Sequence, residues 1–459
     1  MEPINPENTH WRKYQLRLQR TSARKSLWKT AAKYFLLFFL FIFFVYGIDR
    51  RLGDATSFSD LKNISFGTRD PGASNDNEPQ QPSKNELRAL LDATRFTNLT
   101  EKSFDFVLDG KKLQVETSLD MSLQLFLQER LNPATSRYIG IVVMDPATGK
   151  ILSMAGYDKD APDSNPCIDS IFPAASIFKI ITAAAAIEKL NVDPASEFTY
   201  NGRKHTLYKS QLREKTNKYT NRITLMDSFA QSVNPVFGKL GANSLGGTVL
   251  EEYAEAFGFN HPIEFEIPVV ASTAHFSDEP YHWAEIASGF NRKTTMSPLH
   301  GAILTAAIIN GGILMEPSIV NQITDETGTI IYRSHPQAVN QAITPQASEM
   351  MNSLMEATIT SGTAQKIFKG HRRDRVLSRL HMGGKTGSID NKIGDARFDW
   401  FVGYAEEIAG DQKIVISAVV AHEKYIGIRS AEYARMAIKH YFKDYFTKDK
   451  TKTDREHRS

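Results

Sequence analysis

Ser176 and Lys179 stand three residues apart in the stretch FPAASIFK (172–179), ahead of a run that is apolar or small through Ile187. On a helix, positions i and i+3 share a face, so the ammonium can reach the hydroxyl. A helix apolar on all sides is a buried one, and burial drives a lysine toward its neutral form. A neutral amine beside a hydroxyl is a general base beside a nucleophile. Ser176 also falls in the first turn, where unpaired backbone N–H groups and the helix dipole favour developing negative charge. The spacing alone says little. Ser22/Lys25, Ser26/Lys29 and Ser59/Lys62 share it without opening a buried helix. The plainer reading is a structural serine with a snorkelling lysine.

Ser232-Val233-Asn234 lies 56 residues on. A hydroxyl and an amide two apart can enter one cleft from a tight loop, the first to relay a proton and the second to bind a peptide group. Ser83-Lys84-Asn85 has the same pattern, and loop or cap chemistry explains it equally well. Lys385-Thr386-Gly387-Ser388 follows after another 153 residues and is the one K-T-G in the chain. Lysine and threonine can together hold a carboxylate, and glycine at a strand end lets a ligand approach the edge closely.

The elements that must position these groups follow from periodicity. Ile139–Met144 and Ile151–Ala155 flank the turn residues 145–150 and read as a hairpin. Phe104–Leu108 and Leu113–Thr117 flank Asp109-Gly110, a second hairpin signature. Residues 223–241 are amphipathic with a break at Pro235. Leu299–Ile309 and Ala347–Thr358 are further helices. Late in the chain the period becomes that of strands, at His381–Ser388, Phe398–Ala405 and Lys413–Val420. Glu432–Phe446 is a last helix. Asn85 caps a short helix over Glu86–Phe96. The pattern predicts an α+β fold, an antiparallel sheet closed by the early strands with helices on both faces.

The chain has 459 residues, 41% hydrophobic and 23% charged, with 55 Lys/Arg against 52 Asp/Glu and a net charge of +3. That composition is globular and is not that of a nucleic-acid binder. One cysteine, Cys167, excludes an intrachain disulfide and a CxxC metal site. The first 33 residues carry +6 and the remainder −3. Tyr34–Ile48 (YFLLFFLFIFFVYGI) has no charge. Extended back to Trp28 it spans ~31 Å as a helix, enough for a bilayer core. Asp49-Arg50-Arg51, and no small-residue cleavage site, follows, which favours an uncleaved anchor with the basic arm in the cytoplasm and the rest exported. The expected organisation is a basic arm (1–27), a transmembrane anchor (28–48), a tether and small membrane-proximal segment (49–116), a large domain (117–446) and a charged, frayed tail (447–459).

Taken in order, S-x-x-K, S-D-N and K-T-G are the signature of penicillin-binding proteins and class A β-lactamases, and here the second reads Ser232-Val233-Asn234. From about Thr117 to Phe446 the chain resembles the transpeptidase domain of a class B penicillin-binding protein. The resembling stretches are TSLDMSLQLFLQ (117–128), VVMDPATGKILSMA (142–155), FPAASIFKIITAAAAIE (172–188), SFAQSVNPVFGKLG (228–241), TTMSPLHGAILTAAIINGG (294–312), SGTAQ (361–365), GGKTGS (383–388) and FDWFVGYA (398–405). Three features depart from the family. The segment before the domain is short and lacks an RGxIxDRNG-like stretch, no glycosyltransferase domain is found, and PAAS stands where PGS is commoner.

The resemblance implies acyl transfer on the D-Ala-D-Ala end of peptidoglycan stem peptides. In it Ser176 attacks the penultimate carbonyl, Lys179 takes its proton and Ser232 relays that proton to the leaving D-Ala. Asn234 binds the donor amide. Lys385, Thr386 and Gly387 receive the terminal carboxylate, and the N–H groups of Ser176 and Ser388 form the oxyanion hole. An amine of a second stem peptide resolves the acyl-enzyme, and β-lactams trap it. No metal or organic cofactor is implied. The expected partners are stem peptides, β-lactams, the lipid bilayer and other cell-wall synthesis proteins, with no nucleic acid. The expected location is the inner membrane of a bacterium, single-pass. The same motifs serve a D,D-carboxypeptidase, and a β-lactam sensor or scaffold that keeps the pocket is the non-enzymatic alternative. Glutamates between the second and third motifs, such as Glu251, Glu264 and Glu285, lie in no ExxLN-like context of the kind that supplies a β-lactamase with its deacylating base.

Overall fold

The computed structural model describes residues 81–91, 96–108, 110–391 and 396–456. The expected arm and anchor (1–48) lie outside them. Among the described residues, no helix is long and apolar enough to cross a membrane.

Ser83, not Asn85, caps the first helix, α1 (Lys84–Leu90). Its hydroxyl accepts from the Glu86 N–H, and the Glu86 carboxylate accepts from the Ser83 N–H at 2.7 Å. This reciprocal capping box prevails over a lone Asn cap, and the helix stops at Leu90, short of Phe96. The hairpin β1 (Ser103–Leu108) and β2 (Lys111–Thr117) forms as expected, with Gly110 at φ +77°. Then come α2 (Met121–Gln128), β3 (Ser136–Met144) and β4 (Ile151–Asp158). A 3₁₀ turn, Ala175–Phe178, leads into α3 (Lys179–Leu190). A two-stranded ribbon, β5 (Glu197–Tyr200) with β6 (Asn221–Thr224), carries a long loop between its strands.

The amphipathic stretch 223–241 becomes α4 (Leu225–Ala230) and α5 (Asn234–Lys239). Pro235 sits in the first turn of α5, where its missing N–H costs nothing, so it starts the second helix. Next are α6 (Pro280–Ser288), α7 (Pro298–Ile309), β7 (Val320–Asp325), β8 (Ile330–Arg333) and α8 (Pro345–Thr360). The chain finishes with β9 (Leu380–Asn391), β10 (Ala396–Glu407), β11 (Lys413–His422) and α9 (Ser430–Glu456). The last helix thus continues past Phe446 into the charged tail.

The main sheet is antiparallel throughout, in the order β9–β10–β11–β3–β4, so the early hairpin does close the late strands. Alternation along β3 serves two cores. Ile139, Ile141 and Val143 pack with Tyr433, Ile438 and Phe442 of α9. Val142 and Met144 join the opposite core, with Leu299 and Ile303 of α7. Helices therefore cover both faces. A smaller sheet, β1–β2–β7–β8, joins the β1–β2 hairpin to strands from the middle of the chain. In the main sheet β9 is an edge strand, and its open side borders the functional cleft.

Candidate active site

The turn that carries Ser176 is fixed from both sides. The Trp400 Nε1–H donates to the Pro173 carbonyl at 2.9 Å, and the Ala174 N–H donates to the Thr294 carbonyl at 2.9 Å. Ala175 takes φ +48°, a left-handed conformation that strains any residue with a Cβ. This is where PAAS departs from PGS, and strain of this kind persists where its surroundings over-determine it. Gly289 shows how tightly the turn is held. A Cβ there would lie 1.8 Å from the Ala175 carbonyl oxygen, so no side chain fits.

Ser176 lies in the 3₁₀ turn, not in the α-helix proper. With three residues per turn, i and i+3 eclipse, and Lys179 Nζ stands 2.9 Å from Ser176 Oγ. Lys179 has no exposed surface. Its Nζ also donates to Asn234 Oδ1 at 2.8 Å and to the Ser288 carbonyl. Burial, and then the nearby charge of Lys385, push its pKa well below the usual lysine range. The Phe237 ring lies 5.6 Å from Nζ and forms part of that apolar wall.

Lys385 comes from β9 on the other wall. It too is fully buried, and burial lowers its pKa to about 7. Its Nζ donates to Ser232 Oγ at 3.1 Å and to the Thr386 carbonyl at 3.0 Å. Ser232 itself holds φ +57°, a second strained position within the cleft. The Thr386 hydroxyl pairs with that of Thr363 at 2.5 Å. Gly387 lets β9 lie against the nucleophile turn. A Cβ there would meet Trp400 Cβ at 3.3 Å, and Ala175 Cβ and Ile177 Cδ1 at 3.4 Å.

Ser176, Ser232, Asn234, Thr386 and Ser388 line one cleft of about 530 Å³, and the two lysines are buried behind it, bonded to Ser176 and Ser232. All the residues singled out in the three motifs therefore converge. Others in the cleft carry no sequence signature. The Ser288 carbonyl acts through the backbone. His205, from the long ribbon loop, accepts through its carbonyl from Asn234 Nδ2 at 3.1 Å, while its Nδ1 lies 3.3 Å from the Ser232 carbonyl. One Nδ2 hydrogen of Asn234 thus stays available to a ligand. Buried Asp399 accepts from the Ser388 hydroxyl at 3.3 Å and from the Ser430 N–H and hydroxyl at 3.0 Å. Burial alone would raise its pKa, but the nearby His422 ring, the bonds from Ser430 and the Arg429 charge outweigh this and hold it below the usual range. It ties the strand edge at Ser388 to the start of α9. Thr363 was within reach of the sequence, in SGTAQ.

A hydroxyl primed by an amine, on a turn laid against an open strand edge, suits attack on an acyl group presented as an added strand. Fold and cleft together are those of the penicillin-binding class. The chain belongs to the family described as penicillin binding protein transpeptidase domain, whose model matches residues 139–439. Stage V sporulation protein D of Bacillus subtilis is 25% identical over 365 residues, covering 74% of this chain and 54% of that protein. Peptidoglycan D,D-transpeptidase PbpA of Mycolicibacterium smegmatis is 26% identical over 328 residues, covering 61% of each. The chain therefore spans little more than half the length of these relatives. Among solved structures, the D,D-transpeptidase domain of a peptidoglycan glycosyltransferase from Eggerthella lenta superposes with a TM-score of 0.61 at 23% identity, over 72% of this chain and 83% of that one. The imipenem acyl-enzyme of Mycobacterium tuberculosis penicillin-binding protein A superposes with a TM-score of 0.58 at 20% identity, over 71% and 79%. At these identities the likeness is one of fold.

Proposed function

We propose that the protein is a membrane-anchored peptidoglycan D,D-transpeptidase that works through a Ser176 acyl-enzyme and binds β-lactams covalently. The observation that carries this reading is the 2.9 Å approach of the Lys179 amine to Ser176 Oγ in a fully buried setting. Lys179 removes the hydroxyl proton as Ser176 Oγ attacks the penultimate D-Ala carbonyl. The N–H groups of Ser176 and Ser388 receive the oxyanion, each such donor supporting ~3 kcal/mol of the barrier. Ser232, bonded to Lys385, passes the proton to the leaving D-Ala nitrogen. Lys385 and Thr386 hold the terminal carboxylate, Gly387 keeps the strand edge open to it, and Asn234 takes the donor amide through its remaining Nδ2 hydrogen. An acceptor amine then attacks the ester carbonyl, releases Ser176 Oγ and leaves the cross-link.

The test is a cross-linking assay with purified protein and lipid-linked substrate, resolving dimeric from trimmed products. Dimers are expected, and exclusive release of D-Ala without dimers would make the protein a carboxypeptidase. The names of the relatives support the transpeptidase outcome, since PbpA of M. smegmatis is named a peptidoglycan D,D-transpeptidase. Anchoring through residues 28–48 rests on the uncharged run behind a basic arm. A reporter that matures only outside the cytoplasm is expected to be active when fused after Ser459. Greater activity when it is fused at residue 25 would reverse the topology.

A further inference from the structure

The loop between β5 and β6 (201–220) carries Arg203, Lys204, Lys209, Arg213, Lys215 and Lys218 against one carboxylate, Glu214. That carboxylate is turned away, accepting from Lys239 and from Asn243 at 3.3 Å. Within the loop lies an open pocket of about 570 Å³ lined by Arg203, Arg213 and Lys215, with Tyr208 and Ser210 beside them and no acidic residue in its lining. The charged ends of these three cations have no ion-pair or hydrogen-bond partner among the described residues. All three are exposed, but the loop is braced from within. Buried Gln211 donates to the Asn201 carbonyl at 2.8 Å and accepts from the Tyr208 N–H at 2.9 Å. Asn201 in turn donates to the Lys215 carbonyl at 2.8 Å and accepts from the Thr220 hydroxyl at 2.8 Å.

We infer that this cavity is a binding site for a phosphate-class anion, distinct from the acyl-transfer cleft. Like charges lining one pocket of a braced loop repel one another, and a multiply charged anion relieves that repulsion. Two guanidinium forks match the geometry of phosphate oxygens, and one ammonium adds a third charge. A lone carboxylate would leave this set under-neutralised. The same loop reaches the acyl-transfer cleft. The Lys204 carbonyl accepts from the Asn234 N–H at 2.7 Å and the His205 carbonyl from the Asn234 side chain. The site therefore sits where an anion on a bound substrate or polymer can be held beside the catalytic loop. Its natural source, whether the diphosphate of a lipid-linked precursor or the phosphodiesters of an anionic wall polymer, rests on the function proposed above. The site itself does not.

The test is a calorimetric titration of the full chain in detergent with inorganic pyrophosphate at fixed ionic strength. Saturable 1:1 binding is expected, with Arg203→Gln, Arg213→Gln and Lys215→Gln each weakening it by ~5–10-fold, about one charged contact. Lys218→Gln removes the same charge from the loop but does not line the cavity, and it should change affinity less than ~2-fold. A thermal melt of each variant checks that it is folded. Affinity weaker than ~10 mM for the unmodified chain, or an equal loss with Lys218→Gln, overturns the site. Bound pyrophosphate is then challenged with a diphosphate lipid in micelles and with poly(glycerol phosphate). Displacement by one identifies the source, and displacement by neither overturns the assignment to biological phosphate.

Discussion

Ser176→Ala is expected to lose all covalent labelling by a fluorescent penicillin, and its cross-linking rate should fall by the ~10⁶-fold seen when a serine hydrolase loses its nucleophile. The fold should survive. Ser176 is half-buried, and without its hydroxyl the Lys179 amine keeps Asn234 Oδ1 and the Ser288 carbonyl as partners. Labelling that persists in Ser176→Ala would move the nucleophile elsewhere. The unmodified protein should hold its label for minutes or longer and through denaturing electrophoresis. Hydrolysis of the ester needs a base that aims water at it. Among the described residues lining the cleft the acids are Asp390 and Asp399. Asp399 is engaged by Ser388 and Ser430, and Asp390 is largely exposed on the strand edge beside Arg397. Glu266, one glutamate of the interval in which a β-lactamase keeps its base, is buried against Ser318 and the Ile319 N–H instead. Rapid turnover of benzylpenicillin would overturn this account.

What the sequence made legible here was chemistry carried by side chains at short spacing. Ser176 with Lys179, Ser232 with Asn234, and Lys385 with Thr386 each sit within one local element, so pattern and periodicity located them. Their mutual approach across 56 and 153 residues came from the order of motifs and not from local physics. β3 was legible as a short apolar run, because it is buried on both faces, and because turn residues bound it. The Ser288 carbonyl has no side-chain signature, and Gly289 is required only because the Ala175 carbonyl happens to pack against it. His205 and Asp399 are ordinary polar residues until tertiary structure sets them beside Asn234 and Ser388. Ala175 at φ +48° runs against its own propensity, so no local rule predicts it. The Ser83 cap, by contrast, was available in the sequence as Ser-x-x-Glu and prevails over Asn85 for that reason. The end of α9 is a case where local charge misleads, because a polar run read as fraying continues a helix already anchored by Tyr433, Ile438 and Phe442.

The two buried lysines divide one task, and pH separates them. Lys179→Met keeps the side-chain volume and removes the amine, so acylation should fall by ~10² or more, the lower end for a lost general base. Near-normal acylation would make the pair structural. On the proposed mechanism the active form has Lys179 neutral and Lys385 charged. Burial and then the charge of Lys385 push Lys179 well below the usual lysine range, and the proposed mechanism requires it to lose its proton before Lys385 as pH rises. Lys385 loses its proton at about 7, and with it goes the charge proposed to receive the substrate carboxylate. The rate of β-lactam acylation at low concentration should therefore be bell-shaped, with its alkaline limb near neutral pH. Once a carboxylate is bound, the opposite charge raises the Lys385 pKa, so under saturation that limb should move to higher pH. Lys385→Ala should abolish the alkaline limb and shift the acidic limb upward, since Lys179 then loses its positive neighbour. An unchanged acidic limb would mean that Lys385 does not tune Lys179. Stability carries the same signature. The folded Lys385 pKa of about 7 lies below its ordinary value of 10.5, so the unfolded chain binds more protons between them. Stability should rise with pH through that window, with buried Lys179 adding a rise of the same sign, and Lys385→Met, which has no proton to bind in either state, should reduce the slope without abolishing it.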